Sequence, residues 1–396
     1  MASLPQSPPP KSSTISTGRD PHCWSKLPLD LMLMVFEILG FADFERAKSV
    51  CSSWYSGSKQ SKPNNKIPWM ILFPEDKNYC LLTNPEDKEK LYKTQHLGDG
   101  FAKSVCLTTC RSWLLMHADY RDMEGNIIIF DEKHNLFILN LLTHERINLP
   151  AFKSYYHRLG CPILWIDEKT KDYLVIGKAG PGNLVSFKKG DNSWKRTKLP
   201  FSRFLDSLNL VYKDHKLYCL NYEKLHIFDF SGEIPLQVTI PGGLYITRPD
   251  CPWQLLLKMY RRKGDMVVTV RGDVLFVWRI RVCKTWAFKI FKMGSSKGTK
   301  WEKIISLGDE SIILDLGITV LAKDVEGMTS NSIYFNANDL VDEYDENELF
   351  IFNIDTRKVE RSLQFHFKKK DKSLQFVSSS VTISYARWFL PSFRQE

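Results

Sequence analysis

The sequence predicts a small all-α module followed by a large all-β domain, and three observations carry that prediction. Between Trp24 and Trp54, apolar residues recur at three- and four-residue steps, the period of a helix face. From Trp69 onward they fall in short runs broken by turn residues, the pattern of strands. Within the strand region a Leu-Pro or Ile-Pro pair recurs at intervals of about fifty and forty residues, near the blade length of propellers such as the kelch and WD types. The two regimes meet near Pro63.

Leu27-Pro28-Leu29-Asp30-Leu31 opens the first helix: proline suits the first turn, and Asp30 lies near the exposed amides and the positive end of the dipole. Leu27, Leu31, Met34, Val35, Ile38 and Leu39 then share a face, and Gly40 ends the helix. Asp43 is placed to cap a second helix, along which Phe44, Ala47, Val50, Cys51 and Trp54 repeat the pattern while Glu45, Arg46 and Lys48 face away. Ser56-Gly57-Ser58 and Ser61-Lys62-Pro63-Asn64-Asn65 read as a linker region with room for a third helical turn. Two short helices cannot bury this much apolar surface between them. The stretch is therefore either the first corner of a single core or a docking module, and the change of period after Pro63 favours the second.

In the β region the expected strands include Leu136–Leu141, Tyr173–Ile176, Leu184–Phe187, Leu208–Tyr212, Leu217–Leu220, Leu225–Phe230, Met266–Val270, Val274–Ile280, Trp286–Phe291, Ile333–Phe335 and Leu349–Ile354. Lys213-Asp214-His215-Lys216, Gly190-Asp191-Asn192, Arg271-Gly272-Asp273 and Gly308-Asp309 supply turn chemistry between them. The repeated pairs are Asn148-Leu149-Pro150, Lys198-Leu199-Pro200 and Thr239-Ile240-Pro241, with Trp194 and Trp301 as a second echo. A kelch-like β-propeller accounts for this, because four-stranded blades around a channel absorb a long chain with few free edges. A large sandwich, or two smaller β domains, are the alternatives.

Composition bounds the function. Of 396 residues, 13% are aromatic and 25% charged, which fits a globular soluble chain. The net charge of +10 invites a nucleic-acid reading. The basic residues are scattered, however, with small concentrations at Arg261-Arg262-Lys263, Arg279 to Lys292 and Lys368-Lys369-Lys370 that read as solvated loops, and no nucleic-acid-binding signature accompanies them. Nine cysteines without an even framework spacing fit reduced thiols in an intracellular protein, nuclear or cytoplasmic. Neither a signal peptide nor a membrane-spanning run is found, and residues 1–20, rich in Pro, Ser and Thr, read as a disordered tail. Cys106 and Cys110 with His117, His134 and His144 lack the paired spacing of a zinc site, so no metal and no cofactor are expected. The acidic run Asp342 to Glu348 lacks the glycine and ligand order of a calcium loop. No catalytic constellation is found, and an enzyme is not expected.

Leu27-Pro28-x-Asp30-Leu31, Val35, Leu39, Asp43, Arg46-Ala47, Val50-Cys51 and Trp54 together resemble the F-box. Phe44 stands where that motif usually has leucine, and Tyr55 where it tends to have arginine. Downstream, Trp113-Leu114-Leu115, Phe288-Lys289-Ile290 before Trp301-Glu302, Leu307-Gly308-Asp309 and Asn331-Ser332-Ile333-Tyr334-Phe335 are similar to the plant group of F-box proteins with a kelch-like C-terminal domain. The resemblance implies a tail over 1–20, an F-box module over 21–62, a substrate-recognition domain over 63–385 and a C-terminal tail over 386–396. It implies a non-catalytic substrate-recruiting subunit of a Skp–cullin–F-box E3 ubiquitin ligase. Leu27, Pro28, Leu31, Val35, Ile38, Leu39, Val50 and Trp54 would bind the Skp-type adaptor and through it a cullin, and the β domain a target protein. A propeller scaffold without ligase coupling, and a basic nucleic-acid binder, are the competing readings; no membrane partner is implied.

Overall fold

A computed structural model of the chain describes residues 24–39, 41–61, 69–83, 91–118, 133–153, 159–167, 169–180, 182–199, 209–220, 225–238, 260–282, 285–294, 301–324, 328–336, 349–361, 367–370, 373–376 and 382–389. The chain divides into two compact units, Met1–Asn64 and Asn65–Glu396.

The first unit is helical. A 3-10 turn at Trp24–Lys26 leads into α1 (Leu29–Ile38), α2 (Phe41–Lys48) and α3 (Ser52–Ser58). Pro28 takes the cap position of α1 with φ −52° and ψ 144°, and its carbonyl accepts from the Met32 N–H at 3.0 Å. The segment expected as one second helix is thus two, parted at Ser49–Cys51, and the supposed linker Ser56-Gly57-Ser58 ends the third. Close approach explains the tolerance for Gly57: a Cβ there would stand 2.5 Å from Met32 Sδ and 3.3 Å from Phe36 Cε2. Gly40 lies outside the described residues, and α1 ends just before it at Ile38.

The second unit is a ring of five hydrogen-bonded sheets among the described residues, and the nine-stranded one divides into two blades at the parallel pair of Val268 with Ile318, which gives six blades. Blade 1 joins Thr382–Phe389 to Trp69–Pro74, Leu81–Thr83 and Leu91–Lys93, with the hairpin Phe367–Lys370 and Ser373–Phe376 added beside Thr382–Phe389. Blade 2 is Val105–Cys110, Trp113–Ala118, Lys133–Asn140 and Arg146–Asn148; blade 3 is Gly160–Ile166, Tyr173–Lys178, Asn183–Lys188 and Lys195–Lys198. Blade 4 is Asn209–Lys213, Lys216–Leu220, Leu225–Asp229 and Leu236–Val238; blade 5 is Tyr260–Val268, Val274–Val282, Thr285–Met293 and Trp301–Ile304. Blade 6 departs from four antiparallel strands. It runs Ile318–Leu321, Glu310–Ile313, Ser332–Asn336, Leu349–Asn353 and Lys358–Arg361, with a parallel step where Ile312 faces Ile333.

Alternating side chains give each blade two apolar faces, and each face packs on a neighbour. Trp113 and Ile138 of blade 2 meet Leu164 and Val175 of blade 3; Ile176 and Leu184 of blade 3 meet Leu217 and Phe228 of blade 4. Val211 and Tyr218 of blade 4 meet Met266 and Phe276 of blade 5; Val277 and Trp286 of blade 5 meet Ile333 and Phe335 of blade 6. Tyr334 and Ile351 of blade 6 meet Met70 and Trp388 of blade 1. The ring closes where Thr109 donates to the Trp388 carbonyl at 3.2 Å and Arg387 Nε to the Cys106 carbonyl at 3.1 Å. These are the packing relations of a β-propeller.

The expected strands are found within a residue or two at most ends, and each listed turn has its expected geometry: Asp214 and His215 at φ 49° and 58°, Gly190, Gly272 and Gly308 at φ 89°, 87° and 66°. The repeat has a structural meaning. Leu149 and Leu199 are buried directly after the fourth strands of blades 2 and 3, and Trp194 Nε1 donates to the Pro150 carbonyl at 2.6 Å, tying one blade to the next. Trp301 begins the fourth strand of blade 5 and packs toward blade 4. Thr239-Ile240-Pro241 and the run Asp342 to Glu348 lie outside the described residues, as do residues 1–20.

Two expectations are corrected. The C-terminal tail cannot begin at 386, because Ala386 and Trp388 are buried in blade 1 opposite Leu72 and Met70. Nor do the basic concentrations all sit on loops: Arg261 to Lys263, Arg279 to Val282, Thr285 to Lys292 and Lys368 to Lys370 are on strands, and Arg279 is buried with Nη2 3.2 Å from Asp265 Oδ2.

Burial predicts an order of thiol reactivity. Desolvation pushes the Cys106 thiol up to about 11 and those of Cys80 and Cys219 upward as well, whereas Cys161 is exposed. Because the thiolate is the nucleophile, iodoacetamide at mildly alkaline pH should label Cys161 while sparing Cys80, Cys106 and Cys219 until denaturant is added. Peptide mapping by mass spectrometry checks this. Gly317 supplies a second test. At φ +66° its added Cβ would stand 2.7 Å from Val211 Cγ2 and 3.2 Å from the Met266 carbonyl oxygen. Gly317→Ala should cost about 2–3 kcal/mol by urea unfolding, and Gly190→Ala, left-handed but in open space, about 1 kcal/mol.

Candidate functional site

The helical unit holds a small aromatic core. Met32, Phe36, Phe44, Ala47 and Trp54 are buried, with Leu27, Val35, Leu39 and Cys51 half-buried against them. Phe36 is the centre: its ring lies 5.0 Å from that of Phe44 and 5.4 Å from that of Trp54, the latter edge-on, a favoured aromatic geometry. Trp54 Nε1 donates to the Trp24 carbonyl at 2.9 Å, so the entry turn is fastened to α3. Asp43 sits in the first turn of α2 and pairs with Arg46 at 3.0 Å.

This core leaves a second apolar surface uncovered. Leu31 is 45% exposed, Met34 58%, Ile38 76% and Val50 58%. At 3.6 residues per turn Leu31 and Ile38 fall at nearly one angle with Met34 beside them, whereas Met32, Phe36 and Leu39 centre roughly 100° further round α1. The helix is apolar on two sides, one turned to the core and one outward. Pro28 and Leu29 are exposed at its start, and Trp24 and Tyr55 are exposed beyond. Asp30 and Glu37 are the acidic residues of α1, both exposed.

The eight residues read from the sequence therefore separate into two roles. Pro28, Leu31, Ile38 and Val50 are exposed; Leu27, Val35 and Leu39 lean on the core; Trp54 is buried within it. Met34, Leu29, Trp24 and Tyr55 are exposed as well, and Met32 and Phe36 belong to the core. Phe44 also belongs to the core, with Lys48 Nζ 5.0 Å over its ring. Its larger side chain is thus accommodated inside the module. Tyr55, by contrast, lies outside, with Lys59 Nζ 4.7 Å from its ring centre.

Elsewhere, Cys106 is buried beside the ring closure and Cys110 half-buried at the end of the same strand. His117 is buried on the facing strand, and His144 occupies a left-handed turn position. Among the described residues, no group of three or more His, Cys, Asp or Glu side chains is placed to hold a metal ion, and no helix is long and apolar enough to cross a membrane.

Comparison with known proteins agrees with this division. Residues 24–66 match the F-box domain family, and residues 81–353 match the family described as KIB1-4 beta-propeller. The F-box protein At1g69090 of Arabidopsis thaliana is 58% identical over 410 aligned positions, covering 99% of this chain and 98% of its own. The F-box protein At2g05970 of the same plant is 39% identical over 396 positions, covering 94% and 97%. Matched in both its helical unit and its ring of sheets, the chain belongs to the plant F-box proteins that carry a KIB1-4 beta-propeller.

Proposed function

We propose that this chain is the substrate-recruiting subunit of a Skp–cullin–F-box E3 ubiquitin ligase, working in the nucleus or cytoplasm without a catalytic residue of its own. The observation that carries the reading is the outward apolar face of Leu31, Met34 and Ile38 on α1, with Val50 exposed as well, set apart from the core of Met32, Phe36, Phe44, Ala47 and Trp54. Exposed apolar side chains gathered on one face of a helix in so small a module are the mark of a docking site. A Skp-type adaptor, bound in turn to a cullin, covers it.

The propeller holds a target protein, and its work is positional. A tethered substrate meets the ubiquitin thioester on the E2 at high effective concentration, so proximity replaces chemistry supplied by this chain. The burial of Arg279 against Asp265, and the pairing of Lys292 with Asp273 at 2.7 Å, remove part of the basic surface on which a nucleic-acid reading would rest.

The surface-versus-core distinction sets the test. Leu31→Asp with Ile38→Asp should leave the far-ultraviolet circular dichroism unchanged and weaken binding of a purified Skp-type adaptor by about 2 kcal/mol per position, roughly thirty-fold each, by calorimetry. Leu27→Ala with Pro28→Ala should also weaken it, partly through the core contact of Leu27, with the propeller still folded. Undiminished adaptor affinity in the Leu31/Ile38 variant would refute the proposal.

A further inference from the structure

Among the described residues six outer strands form the rim of the propeller, and one differs from the rest. Leu91–Lys93, Arg146–Asn148, Lys195–Lys198, Trp301–Ile304 and Lys358–Arg361 each contain lysine or arginine, which protects an open edge from pairing with another chain. Leu236–Val238, the outer strand of blade 4, contains no charge at all. Its residues are exposed, Leu236 at 68% and Val238 at 38%, and Ile234 ahead of it at 72%.

The register shows which residues share the facing sides of blades 4 and 5. Val238 pairs with Ile227 and Leu236 with Asp229, so Leu236 and Val238 share the face of blade 4 on which Ile227 packs toward blade 5. On blade 5, Trp278 pairs with Lys289 and Phe291 with Lys303, which puts Trp278, Lys289, Phe291 and Lys303 on the face turned toward blade 4. Trp278 and Trp301 are half-buried, each edge-on to Phe276 at 5.1 Å and 5.9 Å, and Lys289 and Lys303 are exposed. Neither lysine makes an ion pair among the described residues. Asp229, on the blade 4 face, is matched by Lys216 directly opposite and its carboxyl is held below the usual range, chiefly by hydrogen bonds from Ser231.

We infer that the rim between blades 4 and 5 binds an extended protein segment, aliphatic and flanked by acidic residues, that adds to blade 4 as a fifth strand. Backbone hydrogen bonds to the Leu236–Val238 edge supply affinity, as in strand addition to other open sheets. The uncharged edge selects aliphatic side chains, and the two lysines select carboxylates over a basic segment. The inference rests on the reading of the propeller as the target-holding part and names the chemistry of what it holds.

The probe is a fluorescein-labelled synthetic peptide of valines flanked by glutamates, titrated with the full chain and followed by anisotropy. Binding should weaken with salt, should fall at least about tenfold with Leu236→Lys plus Val238→Lys, and should fall similarly when prolines remove the peptide N–H donors. Lys289→Glu plus Lys303→Glu should reverse the preference toward a lysine-flanked peptide. These positions are exposed, so unchanged urea midpoints will show that the variants fold. Equal binding of the acidic and basic peptides, or full binding by the Leu236/Val238 variant, would overturn the inference. So would a dimer in sedimentation that the same variant dissolves, since the edge would then belong to a second copy of the chain. The Leu31/Ile38 variant keeps the two proposals apart: it should lose the adaptor and retain the peptide, while Leu236→Lys should do the reverse.

Discussion

A sheet that is apolar on both faces cannot stand alone, and that constraint organises the larger unit. Each blade buries one face on the blade before it and the other on the blade after it, so the series is stable only as a closed ring. Closure falls to the pairing of Trp69–Pro74 with Thr382–Phe389, in which Trp69 faces Phe389 and Met70 faces Trp388. Without it Met70, Leu72, Ala386 and Trp388 would lose the cover of Tyr334 and Ile351, and blades 1 and 6 would each present an open apolar face. Side chains reinforce the seams. Lys188 of blade 3 donates to the Phe230 and Gly232 carbonyls of blade 4, and Lys213 of blade 4 to the Thr269 and Val270 carbonyls of blade 5.

The helical unit follows the opposite logic. Its contacts are close in sequence, and among the described residues five side chains form its buried core, yet α1 remains apolar on a further side. Apolar surface that a fold leaves outside its own core is what the proposed adaptor contact rests on. The same contrast marks the rim of the propeller, where one uncharged edge stands among charged ones.

The sequence made the architecture legible where period and turn chemistry were strong. Strands such as Val274–Val282 and turns such as Asp214-His215 need no tertiary information, because alternation and left-handed turn residues are local. The helices were legible as helices, but their inside was not. α1 has apolar residues almost all round, so the face read through Leu27, Leu31, Met34, Val35, Ile38 and Leu39 mixes three outward residues with three that lean on the core, and Phe36, which centres the core, is not among them. Only the positions of Phe44 and Trp54 decide which side is buried, and spacing along α1 does not contain them. The end of the β domain was misplaced for a related reason: Ala386 to Phe389 belong to blade 1 through partners near the start of the domain. Blade 6, with its parallel step, breaks the repeat that would have allowed the blades to be counted.

The pairing of Trp69–Pro74 with Thr382–Phe389 also orders events in time. A ribosome delivers the first strand long before the last, so Trp69–Pro74 must wait through the synthesis of every other blade for its partner. Joining segments so remote is slow because the loop entropy is lost before the contacts repay it, whereas the three helices can assemble as soon as they emerge. The helical unit is thus finished first. The nascent chain carries a formed helical core while its largest domain is still an open series of sheets, and Trp69–Pro74 is the strand that waits longest for its partner.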